Sequence, residues 1–289
     1  MRQRIVLTMI GLAIAAMCQA GAYQLTFKDP ANTTRWYRTE ISMDGSFTMA
    51  QLDEPLLVKG TVQYVSREKV TAVNANGTSS LVAEITEGAL ELTVGDQQVK
   101  QPLTGYKVTF KRTPTGKVTD VKVENVPEGD FTQMQILGFG DQWKLISGIG
   151  QGIEFPAGNL NEGAKWTNNS SVALGPGQNV TLTMNNILRA PRQVEGRTLL
   201  SIDSDTVLKM PTVKTDYPLG GQTFTISQSS SLSGKSTTQF SVEAGEITTT
   251  SFTGDLKMIL TMPELGDEQA MAMTGTVKMT SSTTKIRGK

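Results

Sequence analysis

The chain has 289 residues, with 27 Lys plus Arg against 27 Asp plus Glu, one Cys and no His. The absence of His excludes imidazole general bases, Ser-His-Asp triads and His-ligated zinc. The balanced charge lacks the basic footprint of a nucleic-acid binder, so no nucleic-acid partner is expected.

The first residues carry Arg2 and Arg4, then an uncharged apolar run from Ile5 to Met17, then Ala20-Gly21-Ala22. A basic start, an apolar run and a small-x-small site match a secretory signal peptide, predicted over residues 1–22. The run is shorter than the roughly 20 apolar residues that a spanning helix needs. Its removal would take away Cys18, and with it any thiol or disulfide. It would also leave 25 of the 27 basic residues, and so a slightly acidic mature chain. No later segment approaches 18 uncharged apolar residues, so no transmembrane helix is expected there. These features predict an exported protein, periplasmic or extracellular, soluble after cleavage.

Residues 23–126 alternate with period two, the signature of half-buried strands. Leu90, Leu92 and Val94 alternate with Glu91 and Thr93, and Tyr106, Val108 and Phe110 with Lys107 and Thr109. Turn signals stand at Asn76-Gly77, Gly95-Asp96 and Pro114-Thr115-Gly116. Strands joined by such short turns are antiparallel neighbours.

Over 127–160 the spacing changes. Phe131, Met134 and Leu137, and then Ile136, Phe139, Trp143, Ile146 and Ile149, fall three and four apart, with Asp130 placed to cap. This predicts a helical connector, broken near Gly138 and Gly140 because glycine disfavours helix interiors.

Residues 161–289 alternate again, as in Val180, Leu182 and Met184, with turn signals at Gly234-Lys235 and Ala244-Gly245. Residues 105–119 and 236–248 share a strand–turn–strand pattern. Leu256, Met258, Leu260 and Met262 alternate along one strand, and Met271, Met273, Val277 and Met279 along the next. Three readings stand for this methionine face: core filling, a deformable wall for an apolar ligand, and a thioether copper(I) site.

Other short matches lack the context their chemistry needs. Ser282-x-x-Lys285 has acyl-transfer spacing but sits at a strand end without partner motifs. Ser233-Gly234-Lys235-Ser236 imitates a phosphate loop but reads as a hairpin turn. Asp203 and Asp205 share a strand face, but calcium needs six or more oxygens.

Phe155-Pro156, followed by Gly163-x-x-Trp166 and an alternating strand, resembles a recurring passage in an uncharacterised family of secreted bacterial β-rich proteins. That resemblance implies no activity and no catalytic residues. By layout the chain also resembles the LolA-like periplasmic lipoprotein carriers, in which a curved antiparallel sheet is covered by helices around an apolar cavity. It departs from them in having one central helical segment instead of several.

The expected fold is mainly β within a β-rich α+β class: largely antiparallel curved sheets in two halves, 23–126 and 161–289, with one central helical segment. The expected function is non-enzymatic binding of a lipid or other hydrophobic ligand in the cell envelope, with no metal or cofactor. Phe139 and Trp143 would form its cover, and Met258, Met262, Met271 and Met273 its wall. The alternative is a structural or protein-interaction component of the envelope.

Overall fold

The computed structural model describes residues 22–49, 53–124, 153–175, 178–219, 222–262 and 271–288. The strands are β1 (Tyr23–Gln24), β2 (Thr34–Met49), β3 (Leu56–Val73), β4 (Ser79–Val94), β5 (Gln97–Pro102), β6 (Lys107–Arg112) and β7 (Val118–Glu124). They continue with β8 (Asn159–Leu160), β9 (Lys165–Gly175), β10 (Gln178–Val194), β11 (Arg197–Leu219), β12 (Gln222–Ser241), β13 (Glu246–Met262) and β14 (Met271–Ile286). The described residues contain strands and no helix. The expected connector lies outside the described residues up to 152, and so do Phe139 and Trp143. Its last part, 153–160, is extended chain ending in β8, which pairs with β1.

Twelve strands form one antiparallel sheet in the order β7-β6-β4-β3-β2-β14-β13-β12-β11-β10-β9, with β5 also beside β4. The two expected β-rich halves therefore share a ladder. Its central seam pairs β2 with β14 from Trp36 against Ile286 to Met49 against Met273. Alternation holds along these strands. Ile41, Met43 and Phe47 on β2, Val58 and Val62 on β3, and Leu90 and Leu92 on β4 are all buried.

These inward residues meet Val180, Leu208 and Leu232, which come from β10, β11 and β12, in a single apolar cluster. The sheet is therefore rolled. Arg112 on β6 and Met184 on β10 line the same interior cavity, although eight ladder steps separate their strands. At about 4.8 Å per step, a flat sheet would hold them roughly 38 Å apart.

Bending a sheet this far requires places where the inner face carries no side chain. Gly234 on β12 stands opposite Gly254 on β13, and the Phe252 ring lies over both. A Cβ on Gly254 would come within 2.4 Å of the Ser233 carbonyl oxygen and 2.8 Å of the Gly234 Cα. This corrects the hairpin expected at Gly234-Lys235, because β12 runs straight through it from Gln222 to Ser241. The glycine there serves a close strand approach, not a turn. The other turn signals mark real connections. The unforeseen two-residue hairpin between β10 and β11 places Glu195 and Gly196 at φ 49° and 74°, the twist that suits paired strands.

The segment 25–30 and the segment 153–156 cross one end of the roll. Phe27 N–H donates to the Pro114 carbonyl in the β6–β7 turn, Lys28 N–H to the Gly245 carbonyl in the β12–β13 turn, and Phe155 N–H to the Thr115 carbonyl. Both turns use glycine at positive φ, where a Cβ would strike Phe27 at Gly116 and Lys28 at Gly245. Phe27 stacks on Phe155 at 5.3 Å, and Phe240 meets both edge-on, which seals this end with aromatic surface.

Gly254→Ala is expected to destabilise the protein by about 1–3 kcal/mol, because the crowding atoms are backbone and the sheet must open to admit a methyl. Urea unfolding measures this, and an unchanged midpoint would show that the close approach does not shape the roll.

Candidate functional site

Alternation that buries apolar side chains in the middle of the strands buries charges near one end. On β2 the inward positions Ile41 and Thr39 lead to Tyr37 and then Arg35; on β3 Val62 and Tyr64 lead to Ser66 and then Glu68. On β6 Arg112 follows Phe110, and Glu246 opens β13. The roll brings these groups together around Asp29 of the crossing segment.

Arg112 grips Asp29 through Nε, 3.0 Å from Oδ2, and Nη2, 2.8 Å from Oδ1. It also reaches Glu68, 2.9 Å from Nη2. Arg35 Nη1 lies 2.7 Å from Asp29 Oδ1 and 3.2 Å from Glu68 Oε1, while its Nε donates to Glu246 at 2.8 Å and its Nη2 to the Lys28 carbonyl at 2.6 Å. Lys285 completes the set on Glu246. Three cations thus face three carboxylates, and the guanidinium forks are filled. Arg112 also lies 4.9 Å over the Phe27 ring, a cation–π contact.

Burial alone would raise the Asp29 carboxyl, but the hydrogen bonds and charge of Arg112, and then of Arg35, hold it below its ordinary 3.8. Burial and the neighbouring Glu68 charge push the Tyr37 phenol far up, so it stays protonated. Burial raises Tyr64 too, against a hydrogen bond with Thr39.

Beside the cluster lies a cavity of ≈ 100 Å³. Its charged side is formed by Arg35, Glu68, Arg112 and Glu246, and its apolar side includes Ile41, Met184, Leu232, Phe252 and Met279. Hydroxyls form the belt between. Thr39 pairs with Thr283 at 3.0 Å across β2 and β14, and Thr238 with Thr250 at 3.4 Å across β12 and β13. Ser236 is also a lining residue, and its Oγ is buried without a hydrogen-bond partner among the described residues. Its register neighbour Ser204 donates to Asn186, which donates to Asn168, whose amide binds the Glu154 carbonyl together with Trp166 Nε1. The passage Phe155-Pro156 to Trp166 is thereby fastened to β9 and β10.

Two residues of the expected wall lie in the packed interior. Met258 and Met273 are 1% and 6% exposed in the main apolar cluster, and neither lines the cavity. Met262 and Met271 stand opposite each other at the end of the β13–β14 ladder. Among the described residues the methionines that line the cavity are Met184 and Met279. Asp203 is engaged on the other face by Arg189 and Thr237, which holds its carboxyl below the ordinary range against partial burial. Among the described residues no group of three or more acidic, His or Cys side chains is placed to hold a metal ion. No described helix is long and apolar enough to cross a membrane.

The charged and hydroxyl residues of the site escaped sequence reasoning because a charge in an alternating strand reads as outward. A signal was present in the parity: Arg35, Tyr37 and Thr39 share that of Ile41 and Met43, and Arg112 shares that of Phe110.

Arg112→Met is expected to cost about 3–5 kcal/mol, since it leaves Asp29 and Glu68 buried with half their partners removed. Asp29 has its folded pKa below its unfolded one. Its contribution is therefore complete above about pH 4 and is lost as pH falls through the lower folded value. Asp29→Asn should accordingly flatten the acid limb of a stability–pH curve below about pH 4, relative to the parent. An identical acid limb in both proteins would count against the pairing.

No family model matches the chain, and no curated protein matches it. Among solved structures, OccK7 (OpdD) of Pseudomonas aeruginosa is similar with a TM-score of 0.25 at 6% identity, covering 88% of this chain and 100% of that one. P47 of Clostridium botulinum A2 gives a TM-score of 0.19 at 11% identity, covering 81% and 77%. Both scores lie below that of a shared fold.

Proposed function

We propose that this is a non-enzymatic binding protein of the cell envelope that holds an apolar ligand inside its rolled sheet. The observation that carries this reading is the ≈ 100 Å³ cavity, walled on one side by apolar side chains and on the other by paired charges, with hydroxyls between. Export is inferred from the basic, apolar and small-residue pattern of residues 1–22. The carboxylates beside the cavity support binding over catalysis. Glu68 and Glu246 are each held by cations. Among the described residues, Thr39 pairs with Thr283 and Thr238 with Thr250.

The cavity is smaller than the ~150 Å³ that admits benzene in an engineered core, so it suits a compact ligand or the end of a longer one. Each Å² of apolar ligand surface buried there contributes about 25 cal/mol before the costs of association.

A second reading, a structural or interaction component of the envelope, is favoured by the filled interior beyond the cavity. Phe47, Val58, Val62 and Val277 there are fully buried. A defined oligomer by size exclusion with light scattering, without ligand, would support it.

Under the binding reading, protein recovered from its native host carries an apolar small molecule by native mass spectrometry, and a hydrophobic dye binds saturably. Ser281→Leu, which fills the cavity from β14, abolishes both while leaving the fold intact by circular dichroism. Protein that carries nothing and takes up no dye at a saturable site would exclude the reading.

A further inference from the structure

The walls of the cavity and its end are held in different ways. Most of the described lining residues lie on β2, β3, β6, β10, β12, β13 and β14, strands fixed along their length by ladder hydrogen bonds. Phe27 and Ile153 are the described lining residues outside a strand. Beside Ile153, Glu154 is fastened through both main-chain groups, its N–H to Asn168 and its carbonyl to Asn168 and Trp166. The segment 25–30 is held more sparsely. Among the described residues, its main-chain bonds to the turns it crosses are those of the Phe27 and Lys28 N–H groups. Side chains supply the other ties: Lys28 Nζ to the Glu243 carbonyl at 3.0 Å, Arg35 to the Lys28 carbonyl, the Asp29 ion pairs, and buried Leu25 and Phe27.

The ion cluster is divided so that this segment can leave. Asp29 is the one member of the cluster outside the strands. Without it, Arg112 still holds Glu68 at 2.9 Å, Arg35 still holds Glu68 at 3.2 Å and Glu246 at 2.8 Å, and Lys285 still holds Glu246. No cation is stranded, and Asp29 regains its hydration as it meets water, so opening leaves no buried charge unpaired. Beyond Pro30, Asn32 at φ 62° and Thr33 are bonded to the main chain of Val70 on β3, which marks residues 30–32 as the hinge.

We infer that the segment 25–30 is the gate of the cavity: it lifts from the end of the roll as a unit while the ladder stays intact, and the Asp29 ion pairs set how often it does so. The inference concerns access and does not require a ligand, so its failure would leave the binding reading in place.

Amide hydrogen exchange at low urea tests the opening. The Phe27 and Lys28 amides should exchange faster than those of the β2–β14 seam, at rates that do not change with urea, as local opening requires. Asp29→Asn should speed both by at least about tenfold, the equivalent of losing hydrogen bonds to charged groups. Access is read from Ser281→Cys in the chain from residue 23, which has no other cysteine. Ser281 lines the cavity and is half-buried. Methyl methanethiosulfonate, which leaves only an S-methyl group on the thiol, should label it faster in the Asp29→Asn background by the same factor as the amides. Phe27 and Lys28 amides that share the protection and urea dependence of the seam would show that the segment opens only with the whole fold, and would overturn the gate. Exchange unmoved by Asp29→Asn would overturn the role of Asp29. Faster exchange with an unchanged labelling rate would show that the cavity is reached by another route, and would overturn the gate as well.

Discussion

The closed ion cluster around Asp29 is the interaction on which the arrangement of the roll depends. It joins the crossing segment 25–30 to β2, β3, β6, β13 and β14 in one place. Such a cluster is not a large net source of stability, because desolvating six charges offsets much of their attraction. Its value lies in discrimination. Arg35 stands directly opposite Glu68 on the inner face, and a slip of one residue between β2 and β3 would send one of them to solvent and strand its partners. Apolar side chains tolerate a shifted register better than this set does. The cluster therefore specifies the one alignment in which all three carboxylates meet cations.

From that end the inner face changes character along the strands. Charges give way to a belt of Tyr, Thr and Ser, and the belt gives way to the fully apolar cluster of Phe47, Val62, Leu256 and Val277. The cavity sits at the middle boundary, where neither salt bridges nor tight apolar packing fill the space. Two strands crowd together beneath it: the Gly234–Gly254 contact under Phe252 lies two register positions from the Ser236–Phe252 pair. The close strand approach and the cavity are thus neighbours on β12 and β13.

The strands themselves were readable from alternation, since Leu90, Leu92, Phe110, Val180 and Met184 all point inward as their parity requires. Antiparallel order followed from short turns wherever consecutive strands pair. The pairing of β2 with β14 was not readable, because no local pattern links strands so distant in sequence. Gly234-Lys235 misled for a related reason: glycine marks both turns and close strand approaches, and only the facing Gly254 tells them apart. The Met258 and Met273 alternation placed an inward face and left its role open among three readings, since periodicity cannot separate a filled interior from a cavity wall. The site was hidden by the habit of assigning charges outward, although Arg35 and Arg112 kept the parity of buried neighbours.

The seam between β2 and β14 also bears on the order of folding. The hairpins β3–β4, β10–β11 and β12–β13 close over short separations and can form as the chain emerges. The seam closes a loop of more than two hundred residues, with an entropic cost that only its own ladder and the joined core offset. Until β14 arrives, β2 and β13 each present an open edge more than a dozen residues long, and the inner apolar face is unshielded. The slow step of assembly is therefore expected to be the meeting of the second strand with the last, with the intermediate before it being the species most prone to associate with its own kind.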